Sequence, residues 1–340
     1  MKITPNASGS TTAHLDEKYG VKTASGIVYA SRSTGDLALD LYQPATDSAV
    51  PVVIWLHGGG WFTGDRTLAP DLATYFVSRG IAMASIDYRL SGKAIFPAQL
   101  HDVRAAIRFL RANANSLKLK SDAIGLWGSS AGGHLAALTG LTGHIPRLDG
   151  EPQNQENDQR DTTVESNIDT EISARVRVVA ESYGPVDLIA GVHEAQAKLP
   201  GRDAITSPES MLLGGLPSER KELAHQANPL NWITSQAPPF QISHGTADQL
   251  VSHRQSQRLH EALTAAGIES ELYLLDGYRH GFLNPAGRLD VEVARVMDDG
   301  RLEAEGPAKT LYYSSHQRVP VEAYFSFAQI GDFLTRHLTT

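Results

Sequence analysis

From Val52 onward the chain alternates short apolar or β-branched runs with helical stretches, and this alternation constrains the fold more than any other feature. Strands that are each followed by a helix lie side by side and parallel, with helices covering both faces of the sheet. The candidate strands are Ile27–Ala30, Leu37–Tyr42, Val52–His57, Ile81–Tyr88, Ala123–Trp127, Val176–Ser182, Pro239–Ser243 and Glu271–Leu275. The first two are placed to form an antiparallel hairpin around Ser33-Thr34-Gly35-Asp36, where turn formers cluster. The expected fold class is therefore α/β, with a mostly parallel eight-stranded sheet and helices on both faces.

Among the helical stretches Pro97–Asn113 is the clearest. Pro97 suits a first-turn position, and Leu100, Val103, Ile107 and Leu110 fall on one face. Weaker helical patterns lie near Ala69–Arg79, Ala131–Thr139, His253–Ala266 and Phe325–Leu338. Two stretches interrupt the order. Residues 143–174 are polar and nearly free of large apolar side chains, the composition of an exposed or mobile loop. Residues 285–322 carry alternating segments, Val291-Glu292-Val293 and Leu311-Tyr312-Tyr313, that suit extra strands. With no internal repeat, the simplest organisation is a single domain over residues 1–340 with insertions at about 143–174 and 285–322.

One strand-to-helix junction stands out. Residues 125–138 read GLWGSSAGGHLAAL, with small residues crowded around two adjacent serines. A G-x-S-x-G pattern between a strand and a helix is the signature of a nucleophile held on a sharp, strained turn. The residues two before and two after that serine must lack bulk. Gly128 and Gly132 satisfy this about Ser130, whereas Ser129 is flanked at those positions by Trp127 and Ala131. Ser130 is thus the candidate nucleophile.

An attacking alkoxide needs preorganised N–H donors for the oxyanion it creates. Directly after VPVVIWL comes His57-Gly58-Gly59-Gly60-Trp61, whose glycines let backbone amides face a cleft without Cβ obstruction. Gly59 and Gly60 are the expected loop donors and Ala131 their partner. A phosphate-cradling loop is the alternative, but no Gly-Lys-Ser/Thr follows.

Thirteen histidines make proximity to Ser130 in sequence uninformative. His134, four residues on along the following helix, suits packing better than catalysis. His280 follows the last of the eight strands on a loop with glycines at 277 and 281, which suits a base coming over the sheet. His244 follows the preceding strand, but Gly245 beside it is better read as shaping the turn that carries an acid, and Asp248 lies at the end of that strand. The order Ser130, Asp248, His280 is the α/β-hydrolase order. Asp187 is the runner-up acid, with a helix N-cap as its simpler role.

HGGGW, DYRL (Asp87–Leu90), FPAQLHDVRAAIRFLRANA, WGSSAGGHLAAL, SPESMLLGG, PPFQISHGTADQLV and GYRHGF together resemble bacterial α/β-hydrolase esterases. Nearest is the feruloyl-esterase-like branch beside the hormone-sensitive-lipase-like carboxylesterases. The resemblance runs from about Gly26 to Phe282 and takes in the terminal helix. It implies an α/β-hydrolase fold, with Ser130 as nucleophile, His280 as base, Asp248 as orienting acid and the amides of Gly59, Gly60 and Ala131 around the oxyanion. It further implies that Trp61 lines the substrate pocket. The polar insertion at 143–174 departs from the family pattern, and so does the long one at 285–322. The latter begins beside His280, placed either to wall the pocket or to carry a contact between copies of this chain.

The expected activity is a cofactor-free serine carboxylic ester hydrolase acting on a small acyl or aryl ester. The alternatives are an amidase or arylformamidase on the same fold and a non-catalytic hydrolase-fold binding protein. No compact His/Asp cluster has metal-ligand spacing, so no metal is expected. The net charge of −8 argues against nucleic acid and anionic membrane as partners. No apolar run approaches the roughly 20 residues of a membrane span. An N-terminus without an apolar h-region favours the cytoplasm, although a trimmed leader would leave the same sequence. The absence of cysteine removes disulfides and thiol nucleophiles without fixing the compartment.

Overall fold

In the computed structural model, described for residues 12–16, 20–145, 171–199, 201, 203–287 and 296–339, the strands of the chain join one twisted sheet. They are β1 (Thr12–Asp16), β2 (Val21–Arg32), β3 (Gly35–Pro44), β4 (Val50–Leu56), β5 (Ala82–Ile86) and β6 (Leu119–Ser129). After these come β7 (Val178–Ser182), β8 (Phe240–Gly245), β9 (Ser270–Leu275), β10 (Ala308–Ser314) and β11 (Val321–Phe325). Their spatial order is β1-β2-β3-β5-β4-β6-β7-β8-β9-β10-β11. The inner six, from β5 to β9, are parallel, and the strands outside them pair antiparallel.

All eight expected strands are present, and the β2–β3 hairpin turns at the expected place, with Arg32 paired to Gly35. The sheet has eleven strands rather than eight. β1 extends the first edge, β10 comes from the second insertion, and β11 begins at that insertion's end. Leu311-Tyr312-Tyr313 lies in β10, whereas Val291-Glu292-Val293 and most of the 143–174 insertion lie outside the described residues. The insertion can prolong the sheet because β9 would otherwise be an edge with unpaired backbone groups, and β10 pairs with it antiparallel.

The helices are α1 (Leu72–Tyr75), α2 (Ala98–Ala112), α3 (Ala131–Thr142), α4 (Leu188–Lys198), α5 (Pro208–Leu213), α6 (Lys221–Gln226), α7 (Arg254–Ala265), α8 (Arg301–Glu305) and α9 (Phe327–Leu338). The expected helix at 69–79 is broken into α1 and a short 3-10 turn at Val77–Arg79. Every side chain of β4 is buried, so its sequence VPVVIWL shows no polar alternation. Val52, Ile54 and Leu56 belong to the core shared with α2, α3 and α7, while Val53 and Trp55 belong to the one shared with α1 and α9. On that second face Trp55 meets Trp127 edge-on at 4.4 Å.

A buried ion cluster locks α2 to the strands. The Asp102 carboxylate accepts Nε and Nη2 of Arg89 and Nε of Arg32 at 2.9–3.1 Å, and also the Arg89 amide. The chain runs from β4 outward to β5 and then back past β4 to β6. That reversal opens a crevice beyond the carboxyl ends of β4 and β6, the usual ligand position in an open α/β sheet.

Candidate active site

The crevice receives the two loops singled out in the sequence. Ser130 follows β6 directly, with φ 53° and ψ −120°, a strained conformation for a residue with a side chain. Its amide donates to the Ser182 carbonyl at 2.8 Å, which ties the turn to the end of β7. The crowding anticipated from the glycine spacing is literal. A Cβ on Gly128 would run into the Gly132 carbonyl, and one on Gly132 into the carbonyls of Leu56 and His57. Ser129 is fully buried, whereas the Ser130 side chain is partly open.

The glycine loop lies against this turn, close enough that a Cβ on Gly58 would stand 3.3 Å from Ser130 Cβ. Gly59 has φ 105°, and its carbonyl accepts the amides of Phe62 and Thr63. Among the described residues no acceptor is paired with the amides of Gly59, Gly60 or Ala131. Beneath the loop, His57 donates from Nδ1 to the Gly58 carbonyl at 2.6 Å and stacks on Tyr88 at 4.3 Å. The Tyr88 hydroxyl donates to the His57 carbonyl at 2.9 Å. The DYRL segment thereby braces the loop from below.

His280 and Asp248 arrive from the next strands over. His280 Nε2 lies 2.8 Å from Ser130 Oγ, and His280 Nδ1 lies 2.6 Å from Asp248 Oδ2. The Asp248 carboxylate also accepts the amides of Leu250 and Val251 on Oδ1, at 2.8 and 2.9 Å. Burial alone would raise its pKa, but the charge and hydrogen bonds of His280 and His244 prevail and hold it well below the ordinary carboxylate range. The His280 loop is fixed from two sides. The edge of Tyr183 meets its ring at 4.9 Å, and the Asp298 amide donates to its carbonyl at 2.8 Å. Asp298 also accepts the Arg279 amide and pairs with Arg279 and Arg301, so the second insertion supports this loop.

Other histidines and carboxylates take structural positions. His134 is sealed in the core, donates to the Ala227 carbonyl at 2.7 Å and has its pKa pushed down by burial to about 4. Asp187 caps α4 by accepting the Ala190 amide. Trp61 corrects the expectation of a pocket wall. Its positive φ of 61°, after two left-handed glycines, turns the indole inward against His134, and only 1% of it is exposed. Its neighbour Phe62 is 44% exposed and faces outward instead. Gly245 opens the turn that carries Asp248, its carbonyl accepting the Asp248 amide at 3.2 Å. Its φ is not positive, and the missing side chain also leaves room for the backbone of Tyr278 in the His280 loop.

Sequence reasoning set His244 aside as a base and did not single out Tyr183. His244 Nε2 lies 3.2 Å from Asp248 Oδ2, and its Nδ1 lies 2.7 Å from Ser256 Oγ. The signal for both was position, since each sits at the carboxyl end of an inner strand. Among the described residues no group of three or more histidine, aspartate or glutamate side chains is placed to hold a metal ion, and no helix is long and apolar enough to cross a membrane.

The profile of the BD-FAE family matches residues 39–263. The chain belongs to the BD-FAE family. The BD-FAE match takes in the glycine loop, Ser130 and Asp248 and ends before His280. Esterase LipC of Mycobacterium tuberculosis is 29% identical over 234 residues, 68% of this chain and 53% of that protein. The chain spans about half the length of the curated relatives it matches. Among solved structures, a truncated carbohydrate esterase from gut microbiota superposes with a TM-score of 0.68 at 26% identity, covering 96% of this chain and 99% of that one. A thermophilic esterase of Thermogutta terrifontis with propionate bound gives 0.58 at 26% identity, covering 86% and 96%. This BD-FAE member thus has the α/β-hydrolase fold of the esterases it resembles.

Proposed function

We propose that this protein is a serine carboxylic ester hydrolase that acts on small acyl or aryl esters. The observation that carries the reading is the continuous path from Ser130 Oγ through the His280 imidazole to Asp248, opposite unpaired amides of the glycine loop and α3. His280 takes the Ser130 proton as the hydroxyl oxygen attacks the ester carbonyl. The amides of Gly59, Gly60 and Ala131 receive the oxyanion, each such donor contributing about 3 kcal/mol in the transition state. His280 then protonates the leaving alcohol and activates water to release the acid. Asp248 holds the imidazole in the tautomer that bears its proton on Nδ1 and stabilises the imidazolium that forms.

The esterase and carbohydrate-esterase neighbours support an ester over an amide as substrate. The propionate in one of them supports a short acyl group. A panel of p-nitrophenyl esters of graded acyl length, run beside acetylated sugars, a feruloyl ester and N-formyl-kynurenine, tests the proposal. Turnover of short esters that disappears in Ser130→Ala is the expected result. Faster turnover of the formamide would move the reading to arylformamidase. No turnover of any substrate would move it to a binding protein.

A further inference from the structure

Beside Asp248 lies a second set of polar groups that the reaction as described does not use. Glu181, on the inner strand β7, is 1% exposed. Its Oε1 accepts the Gly184 amide, and its Oε2 lies 3.4 Å from Ser256 Oγ on α7. Ser256 Oγ in turn lies 2.7 Å from His244 Nδ1, and His244 Nε2 stands 3.2 Å from Asp248 Oδ2 and 3.1 Å from the Val251 carbonyl. Four side chains from β7, α7, β8 and the turn after β8 thus form one line that ends on the carboxylate paired with His280.

The space for the Glu181 carboxylate is built into the nucleophile turn. A Cβ on Gly133 would stand 2.9 Å from Glu181 Oε1, and one on Gly184 would stand 2.6 Å from it. The second glycine of Gly132-Gly133 therefore makes room for this acid, as the first makes room for the turn.

We propose that Glu181 is a positioning residue that acts through Ser256 on the tautomer of His244, and so decides whether His244 donates a hydrogen bond to Asp248. When Glu181 is protonated, its hydroxyl donates to Ser256, Ser256 donates to His244 Nδ1, and the proton on Nε2 faces Asp248. When Glu181 is ionised, Ser256 donates to the carboxylate, and its oxygen then accepts from Nδ1–H. The proton of neutral His244 has moved from Nε2 to Nδ1, and a bare lone pair faces Asp248. The carboxylate loses a donor that fixes its position and gains a repulsion, which shifts it from where it orients His280. Burial raises the Glu181 pKa to about 8, against the opposing hydrogen bonds from Gly184 and Ser256, so the change falls on the alkaline side of neutrality.

The other titratable or charged groups facing this line have fixed roles. His134 on α3 is neutral through burial. His253 at the head of α7 has its pKa lowered, first by burial and then by His244 and Lys198. Lys198 at the end of α4 donates to the Asp248 carbonyl, and Glu194 on α4 is paired with Arg258. The Tyr183 ring lies edge-on to His244, its phenol kept protonated by burial.

This inference rests on the serine esterase reading, and the test separates the two. For a short-chain ester, kcat and KM are measured by pH-stat between pH 6 and 9.5 in the full chain and in Glu181→Gln, Ser256→Ala and Ser130→Ala. The wild-type ratio of kcat at pH 9.5 to kcat at pH 7 is expected to fall below that of Glu181→Gln by up to about tenfold, the scale of one lost charged hydrogen bond, with KM unmoved. The carboxamide introduced by Glu181→Gln donates permanently to Ser256, so the ratio in that variant stays flat. Ser256→Ala cuts the line and is expected to flatten the ratio too, which keeps the test decisive if Glu181→Gln does not fold. A wild-type alkaline fall retained in both variants, or no fall in wild type, overturns the positioning role. Activity surviving in Ser130→Ala overturns the esterase reading instead.

Discussion

His280 Nε2 stands 2.8 Å from Ser130 Oγ although 150 positions separate the two residues in the chain. Nothing local to Ser130 provides an equivalent base, because His134 one turn along α3 points its ring into the core. Ser130→Ala and His280→Ala are therefore each expected to lower kcat on an activated short-chain ester by about four orders of magnitude or more, with the fold intact by circular dichroism. His134→Ala is expected to lower Tm through the lost bond to Ala227 while keeping kcat within about tenfold. A larger kcat loss in His134→Ala than in His280→Ala would identify the wrong imidazole as the base.

Gly132 lies where α3 crosses the end of β4, and its missing side chain leaves room for the carbonyls of Leu56 and His57. Backbone carbonyls cannot swing away as a side chain would. Gly132→Ala is expected to cost about 3 kcal/mol or more and to abolish activity. Gly92→Ala is the matched control, since a Cβ at Gly92 meets nothing within 4 Å. It is expected to change stability by less than about 0.5 kcal/mol. Equal denaturant midpoints for the two variants would contradict the packing at the turn.

Trp61 and Phe62 are adjacent aromatics with opposite environments, one sealed against His134 and one 44% exposed. Trp61→Ala is expected to destabilise the protein by about 3–5 kcal/mol, the range for a large core aromatic. Phe62→Ala is expected to leave stability nearly unchanged and to act, where it acts at all, on KM. Thermal melts read beside KM for a series of esters decide this. Equal Tm values for the two variants would return Trp61 to the pocket.

The turn at Ser130, the glycine loop and the partners Asp248 and His280 were legible because each is marked by backbone demands written into nearby residues. Gly128 and Gly132 state where carbonyls pass, and Gly277 and Gly281 both take the left-handed conformation that the His280 loop needs. The inward turn of Trp61 was not legible, because it depends on a positive φ that a tryptophan does not advertise. β10 was half visible in Leu311-Tyr312-Tyr313, but pairing with β9 is a long-range choice that alternation alone does not fix. Glu181 was the subtlest omission. A single carboxylate in VVAES reads as an ordinary polar strand residue until both faces of that strand prove to be covered.

Glu181 also makes the stability of the fold pH-dependent in a stated direction. Its pKa is raised in the folded chain to about 8 by burial, from an unfolded value of about 4.3. Below the unfolded value both states bind the proton, and the buried acid costs nothing extra through ionisation. As the pH rises from there toward 8, the unfolded state releases its proton first, so stability falls with pH and levels off above the folded value. The upper limit of that loss is about 5 kcal/mol. A glutamine side chain has no proton to release, so Glu181→Gln is expected to melt increasingly above wild type between pH 5 and pH 8, with the gap constant beyond about pH 8.5. Thermal unfolding of both proteins at intervals across that range measures the gap directly. A Tm difference independent of pH would mean that Glu181 titrates in the folded protein as it does in the unfolded chain.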